Sequence, residues 1–122
     1  MQKEKLFDLE DRIIDFAVRI IKLSETLPNS QTGKHVRNQM IRSGTSPAPN
    51  YAEARSAESC SDFIHKIKIS LKELRETKVW LRIIEKTELI SSLTELKALI
   101  HEANELISIL VTSVKTATRN HK

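Results

Sequence analysis

Histidines, carboxylates and one cysteine are the residues of this 122-residue chain whose types could support metal or nucleophilic chemistry, and their spacing supports neither. A carboxylate-bridged metal centre in a helical bundle takes Glu from two helices and Glu-x-x-His from two more. Asp62-x-x-His65 is the near match, and His101 has Ala98 where that pattern needs an acid. His101 and Glu105 stand one turn apart and read as a surface pair. His35, His65 and His121 show no partner pattern and are expected in solvent. Cys60 has no neighbouring His to activate it, and a single Cys excludes a disulfide framework or a Cys-rich zinc module. Gly33 and Gly44 stand alone, so no phosphate-cradling loop is encoded. The expectation is a non-enzyme with no metal, no cofactor and no small-molecule substrate.

The spacing that does carry chemistry is cationic. Drawn at 100° per residue, Lys68, Lys72, Arg75, Arg82 and Lys86 fall within an arc of about 80° on one helix. Such a ridge can contact phosphates, and Arg42, Arg55, Lys34 and Arg37 are candidates to extend it. The same stripe also reads as a solvated face whose cations pair with neighbouring Glu and keep the domain soluble. With one Trp, one Tyr and three Phe, base stacking on single strands is not expected. The net charge of +4 is unevenly spread: residues 1–27 carry −1, residues 28–60 +2, residues 61–86 +3 and residues 87–122 zero.

The elements that must position this ridge are helical. Leu6, Leu9, Ile13, Phe16, Ile20, Leu23 and Leu27 alternate steps of three and four, an unbroken heptad seam that Pro28 ends. Phe7, Ile14 and Ile21 form a second apolar line on the same helix, and two seams on one helix imply more than one neighbour. Leu93, Leu96, Ile100, Ala103, Ile107, Leu110 and Val114 repeat the spacing, and Ser92 with Glu95 has the pattern of a capping box. The third helix, starting after Ser59 or Ser61, buries Phe63, Ile64, Ile67, Leu71, Leu74 and Leu81. A further face carries Ile69, Trp80 and Ile83 with Glu73 and Glu76 between them. These apolar residues either pack on loops of the same subunit or, left exposed, mark an oligomer interface with the Phe7, Ile14 and Ile21 line; the interface is the expectation, and the two Glu then need a basic partner from another subunit. In the second segment Pro47 and Pro49 interrupt a helical pattern, so a sharp kink or two short helices are expected.

Composition agrees. Two Gly and three Pro are too few turn-formers for a sandwich or barrel, and 39% apolar residues argue against disorder. No apolar run approaches membrane-spanning length, and the start lacks a signal-peptide pattern, so a cytoplasmic protein is expected. The fold predicted is all-α: one domain over residues 1–122, an antiparallel up-down-up-down four-helix bundle with a kinked second helix. Its helices are expected at about 6–27, 32–57, 61–86 and 92–116.

Particular residues also carry a resemblance. Gln39-Met-Ile-Arg42-Ser43-Gly44-Thr45-Ser46, then Asn50-Tyr51-Ala52-Glu53, then Phe63 and Leu71-Lys72-Glu73-Leu74-Arg75-Glu76-Thr77 resemble the 23S rRNA intervening-sequence protein family. Phe7-Asp8-Leu9 and Leu27-Pro28 resemble the family's start and first loop. Arg42, Ser43, Ser46, Asn50, Ala52 and Glu53 are its most specific part, and the likeness covers about residues 6 to 115. The resemblance implies a left-handed four-helix bundle that assembles as a ring-like homopentamer. It also implies kinship with a basic accessory protein of diversity-generating retroelements, thought to engage nucleic acid. The family takes its name from coding sequences inside intervening sequences of bacterial rRNA genes, and no biochemical activity is implied. Here Pro47 and Pro49 flank Ala48, and Ala54 stands where the family has Gly. Asn50 and Glu53 are expected to satisfy backbone groups freed at the kink. The function expected is a non-enzymatic homo-oligomer that binds structured RNA or DNA through backbone phosphates. The alternative is a protein–protein scaffold with no nucleic-acid role.

Overall fold

The computed structural model describes residues 2–120, with side chains from Leu9 to Asn120. Among these the chain is all-helical, without strands: α1 (Gln2–Ser24), α2 (Gln31–Thr45), α3 (Pro47–Arg55), α4 (Cys60–Thr87) and α5 (Thr94–Asn120). α2 and α3 are the arms of one kinked helix, so the architecture is a bundle of four. α4 packs on α5, α3 and α2; α1 packs on α2, α3 and α5; among the described residues the α1 and α4 backbones make no close approach, which puts them at opposite corners.

The α1 seam is buried as its spacing demands, with Ile13, Phe16, Ile20, Leu23 and Leu27 all in the core. The helix itself stops at Ser24, short of Pro28, and the chain turns through Thr26 and Leu27, whose amides bond to the carbonyls of Leu23 and Ser24. Arg37 closes that end from α2, donating from Nε to Ser24 O at 3.1 Å and from Nη2 to Leu27 O at 3.1 Å. Its guanidinium is therefore a helix cap and not an extension of the cationic ridge. Ser30 caps α2 by accepting from the Gly33 amide at 3.0 Å. Gly33 sits so close to the α1–α2 loop that a Cβ there would lie 1.9 Å from the Pro28 oxygen.

The kink follows from two missing donors. In a regular helix the amides at 47 and 49 would bond to the carbonyls of 43 and 45, and proline has none. The ladder is carried across by long bonds from Ser46 N to Arg42 O (3.3 Å) and from Asn50 N to Ser46 O (3.4 Å). Asn50 Nδ2 donates to Ser46 O at 3.0 Å and to Ser46 Oγ at 3.1 Å, as expected for a side chain repairing the break. Glu53 takes no part in that repair, because its carboxylate faces out to Lys66 Nζ at 2.6 Å. The kink is bolted to α4 by two buried bonds, Ser70 Oγ to Pro47 O at 3.1 Å and Thr77 Oγ1 to Ser43 Oγ at 2.8 Å. Ala52 is exposed and makes no such contact.

α4 begins at the N-cap Ser59, which accepts from the Asp62 amide at 3.0 Å. It ends on Glu88, a non-glycine residue held in the left-handed region at φ 55°. That conformation is costly for a residue with a Cβ. Glu88→Gly is therefore expected to stabilise the fold by about 0.5–1 kcal/mol. The change would appear as a higher urea midpoint at unchanged slope.

α5 differs from its predicted start and seam. It begins at Thr94, and Glu95 turns away from Ser92 to form a two-pronged ion pair with Arg19 of α1, Nε–Oε2 2.8 Å and Nη2–Oε1 2.9 Å. The capping-box expectation is thus corrected: a guanidinium outcompetes a backbone amide for the carboxylate. Leu96, Leu99, Ala103, Leu106 and Leu110 are the fully buried line, while Ile100, Ile107 and Val114 are only partly covered.

Arg19 holds the Glu95 carboxyl below its ordinary range through that hydrogen-bonded pair. A carboxyl lowered in the folded state adds stability above its unfolded pKa, and that stability is lost as pH falls through the folded value. The pair is half exposed, so Glu95→Gln is expected to cost only about 0.5 kcal/mol at neutral pH after solvent screening. The deficit should vanish in acid, below the usual glutamate range, when unfolding is followed against pH.

Candidate nucleic-acid interface

Each cation of the predicted ridge lies on α4. Lys68, Lys72, Arg75, Arg82 and Lys86 are all exposed, on the flank of the helix turned toward α5. The core line Ile67, Leu71, Leu74 and Leu81 fixes that orientation, because burying it leaves the positions one or two residues away pointing along the α4–α5 groove. Phe63 and Ile64, expected in the same core, are only half-buried.

The groove gathers cations from both helices. Near the N-terminal half of α4, Lys68, Lys72 and Arg75 meet Lys115 of α5 around a hollow of about 400 Å³. Leu71, Val111 and Val114 also line it. Farther along, Lys78 and Arg82 meet Lys97 around a second hollow of about 300 Å³, with Glu85 as the acid among its lining. Among the described residues, none of these cations forms an ion pair within the chain.

Elsewhere on the bundle Lys22, Lys34 and Arg119 are likewise without an ion pair among the described residues, but five other cations are engaged by carboxylates. Arg12 donates to Glu102 at 2.7 Å and to Glu105 at 3.0 Å, and these bonds raise its pKa further. Arg19 is held by Glu95 in the same way. Arg55 binds Glu10 at 2.9 Å, and Lys66 binds Glu53. Arg42 reaches Glu73 at 3.0 Å, and also Glu76. Arg42 and Arg55, counted with the ridge from sequence, are thus engaged inside the subunit and are withdrawn from it. Lys34 is exposed on α2 and lines neither hollow.

The Arg42 pairs also correct the expectation that Glu73 and Glu76 await a partner subunit. Glu73 is buried, and its partner is in the same chain. Glu76 further accepts from Trp80 Nε1 at 3.2 Å, and the Trp80 ring stands edge-on to His35 with centroids 5.9 Å apart. Trp80 and Ile69 are half-buried rather than open. Ile14, Ile21 and Ile83 are exposed, joined by Val18 and by Val79, which is 54% exposed. Phe7 lies outside the described side chains. Val18 and Val79 were missed, although Val18 sits one turn from Ile14 and Val79 one turn from Ile83.

Catalytic furniture is not in view. Among the described residues no group of three His, Cys, Asp or Glu could hold a metal ion, and every buried side-chain polar atom has a partner. The Cys60 thiol contacts Ala117 O at 3.6 Å. Among the described residues no helix is long and apolar enough to cross a membrane.

An all-helical bundle with a cluster of seven unpaired cations around the hollows of one two-helix groove is, by fold and site, a small α-helical protein with a cationic flank. The chain belongs to the 23S rRNA-intervening sequence protein family, whose model matches residues 7–112. A solved structure from Bacteroides thetaiotaomicron, of a protein with unknown function from the S23 ribosomal protein family, is 36% identical and superposes with a TM-score of 0.80. The match covers 88% of this chain and 98% of that one. Among curated proteins, none matches the chain.

Proposed function

We propose that this protein is a non-enzymatic, homo-oligomeric bundle that binds structured RNA or DNA through backbone phosphates along the α4–α5 groove. The observation that carries this is the contrast in pairing. Arg12, Arg19, Arg42, Arg55 and Lys66 are matched to carboxylates, while the groove cations are not. Unmatched positive charge on one flank repels itself and is useful chiefly to a polyanion. No aromatic residue lines either cationic hollow, Phe63 lining a separate one between α4 and α5 with no cation in it, which favours contact with phosphates over base stacking.

Assembly would multiply the charge. The ion pairs Arg12–Glu102 and Arg19–Glu95 advance along α1 as they retreat along α5, and Arg42–Glu73 and Glu53–Lys66 do the same between the kinked helix and α4. These senses support an antiparallel up-down-up-down course, which we take as left-handed. In such a bundle the exposed Ile14, Val18 and Ile21 on α1 and Val79 and Ile83 on α4 occupy opposite corners. Asp11, Asp15 and Glu25 accompany the first line, and Lys86, which lines neither hollow, adjoins the second at Ile83, so the two are complementary in charge. Two different complementary faces on one subunit join head to tail, and five copies closing into a ring would raise +4 per chain to about +20. Light scattering at micromolar concentration is expected to give about five times the 14.0 kDa chain mass. A mass of one chain would refute the assembly.

The nucleic-acid reading is tested by gel shift or anisotropy with a structured RNA and a duplex DNA at ~50 mM salt, where a shift that salt abolishes is expected. The exposed apolar lines alone favour a second reading, a scaffold that docks another protein. Under that reading a partner would be retained after nuclease treatment, and no nucleic acid would bind.

A further inference from the structure

Resting on the nucleic-acid reading, we propose that the α4–α5 groove measures its ligand: it takes a double-stranded backbone and needs about eight base pairs to fill both ends. α4 supplies a nearly continuous row of cations, stepping by three or four residues from Lys68 to Lys86. α5 supplies only two in the groove, Lys97 and Lys115, one in each hollow. They are eighteen residues apart, five whole turns, so they stand on the same face of α5 about 27 Å from each other. Between them the α5 side of the groove is uncharged, lined by Ile100, Asn104, Val111 and Val114.

In a B-form duplex the phosphates of one strand advance about 3.4 Å along the helix axis per base pair, so 27 Å corresponds to about eight base pairs of DNA. A duplex lying in the groove can meet the α4 row all along its length, but it gains the two α5 lysines together only when it is that long. A flexible single strand has no fixed distance to match and finds no aromatic side chain lining either hollow. The two ends are also unequal. The hollow at Lys115 gathers four cations without an acid, whereas the one at Lys97 gathers three beside Glu85. Short ligands therefore settle at the Lys115 end first.

The test measures the affinity of the full-length protein, at ~50 mM salt, for hairpin stems of about 4, 6, 8, 12 and 16 base pairs, in DNA and RNA. Affinity should climb steeply to about eight pairs, by tenfold or more, and then flatten toward the slow growth of added positions. Lys97→Glu should weaken the stem of about 12 pairs tenfold or more and leave the stem of about 4 pairs within twofold, whereas Lys115→Glu should weaken both. Lys22→Glu, which changes charge equally on α1, should do neither. A break near eight pairs in DNA and at a somewhat longer stem in RNA, whose A-form pairs rise less along the axis, would show that phosphate spacing is read, and a threshold in one alone would name the duplex form that fits. Affinity growing in proportion to length without a break, single strands binding as tightly as stems, or Lys97→Glu behaving like Lys22→Glu would each overturn the proposal while leaving nucleic-acid binding intact. Absence of binding at every length would instead bring down the reading beneath it.

Discussion

A chain carrying Lys68→Glu, Arg75→Glu and Arg82→Glu is expected to lose at least a hundredfold in affinity for a nucleic-acid duplex while melting within a few degrees of the parent. All three side chains are exposed, and none is engaged by a carboxylate among the described residues, so removing them breaks no internal bond. Each reversal deletes an attraction and adds a repulsion along one flank about 27 Å long, counted from Lys68 to Lys86. The loss should shrink as salt rises, because the free energy comes from released counterions. The matched control, Arg12→Glu with Arg55→Glu, changes charge at sites already paired inside the bundle. It should cost stability and spare binding. An affinity unchanged by the triple reversal would place the ligand on another surface.

Gly44→Ala is the second large expectation, this time in stability. Gly44 lies where α2 crosses α1, and a Cβ there would stand 2.7 Å from Ile20 Cγ2 and 3.1 Å from Cγ1. Ile20 is fully buried and cannot swing aside, so the helices must separate or the side chain must leave its rotamer. Overpacking of this kind costs about 1–3 kcal/mol, which outweighs the gain in helix propensity of about 1 kcal/mol that Gly→Ala otherwise brings. Ile20→Ala alone leaves a cavity and costs about 2–5 kcal/mol. In the Gly44→Ala background the same change should cost clearly less, since the new methyl occupies part of the void. Urea denaturation of the four chains gives the coupling. Additivity of the two substitutions would contradict the close approach.

Much of this molecule could be read from residue spacing because it depends on neighbours in sequence. The α1 seam, the Ser59 start of α4 and the break at Pro47 and Pro49 are local matters of periodicity, capping and missing amides. What spacing leaves open is which of two adjacent apolar positions faces inward. On α5, Leu99 and Ile100, like Leu106 and Ile107, are interchangeable to a heptad count, and packing against α1 and α4 chose the leucines.

The partners of charged groups were less legible still. Arg42 finds Glu73 across 31 positions, and Arg19 finds Glu95 across 76. No sequence rule of one or two turns reaches that far. For the same reason the ridge drawn on one helix was incomplete. Lys97 and Lys115 were hidden by a segment of zero net charge, and only the closeness of α5 to α4 reveals them as part of the groove. Their eighteen-residue separation was the available signal.

The measurement that bears most directly on the groove is the salt dependence of duplex binding. For the parent chain, a plot of log affinity against log salt concentration should be linear with a slope of about −3 or steeper, as several phosphate contacts require. It should flatten by about 0.9 for each groove cation removed. Absence of binding at ~50 mM salt, or a slope near zero that Lys68→Glu, Arg75→Glu and Arg82→Glu leave unchanged, would contradict it.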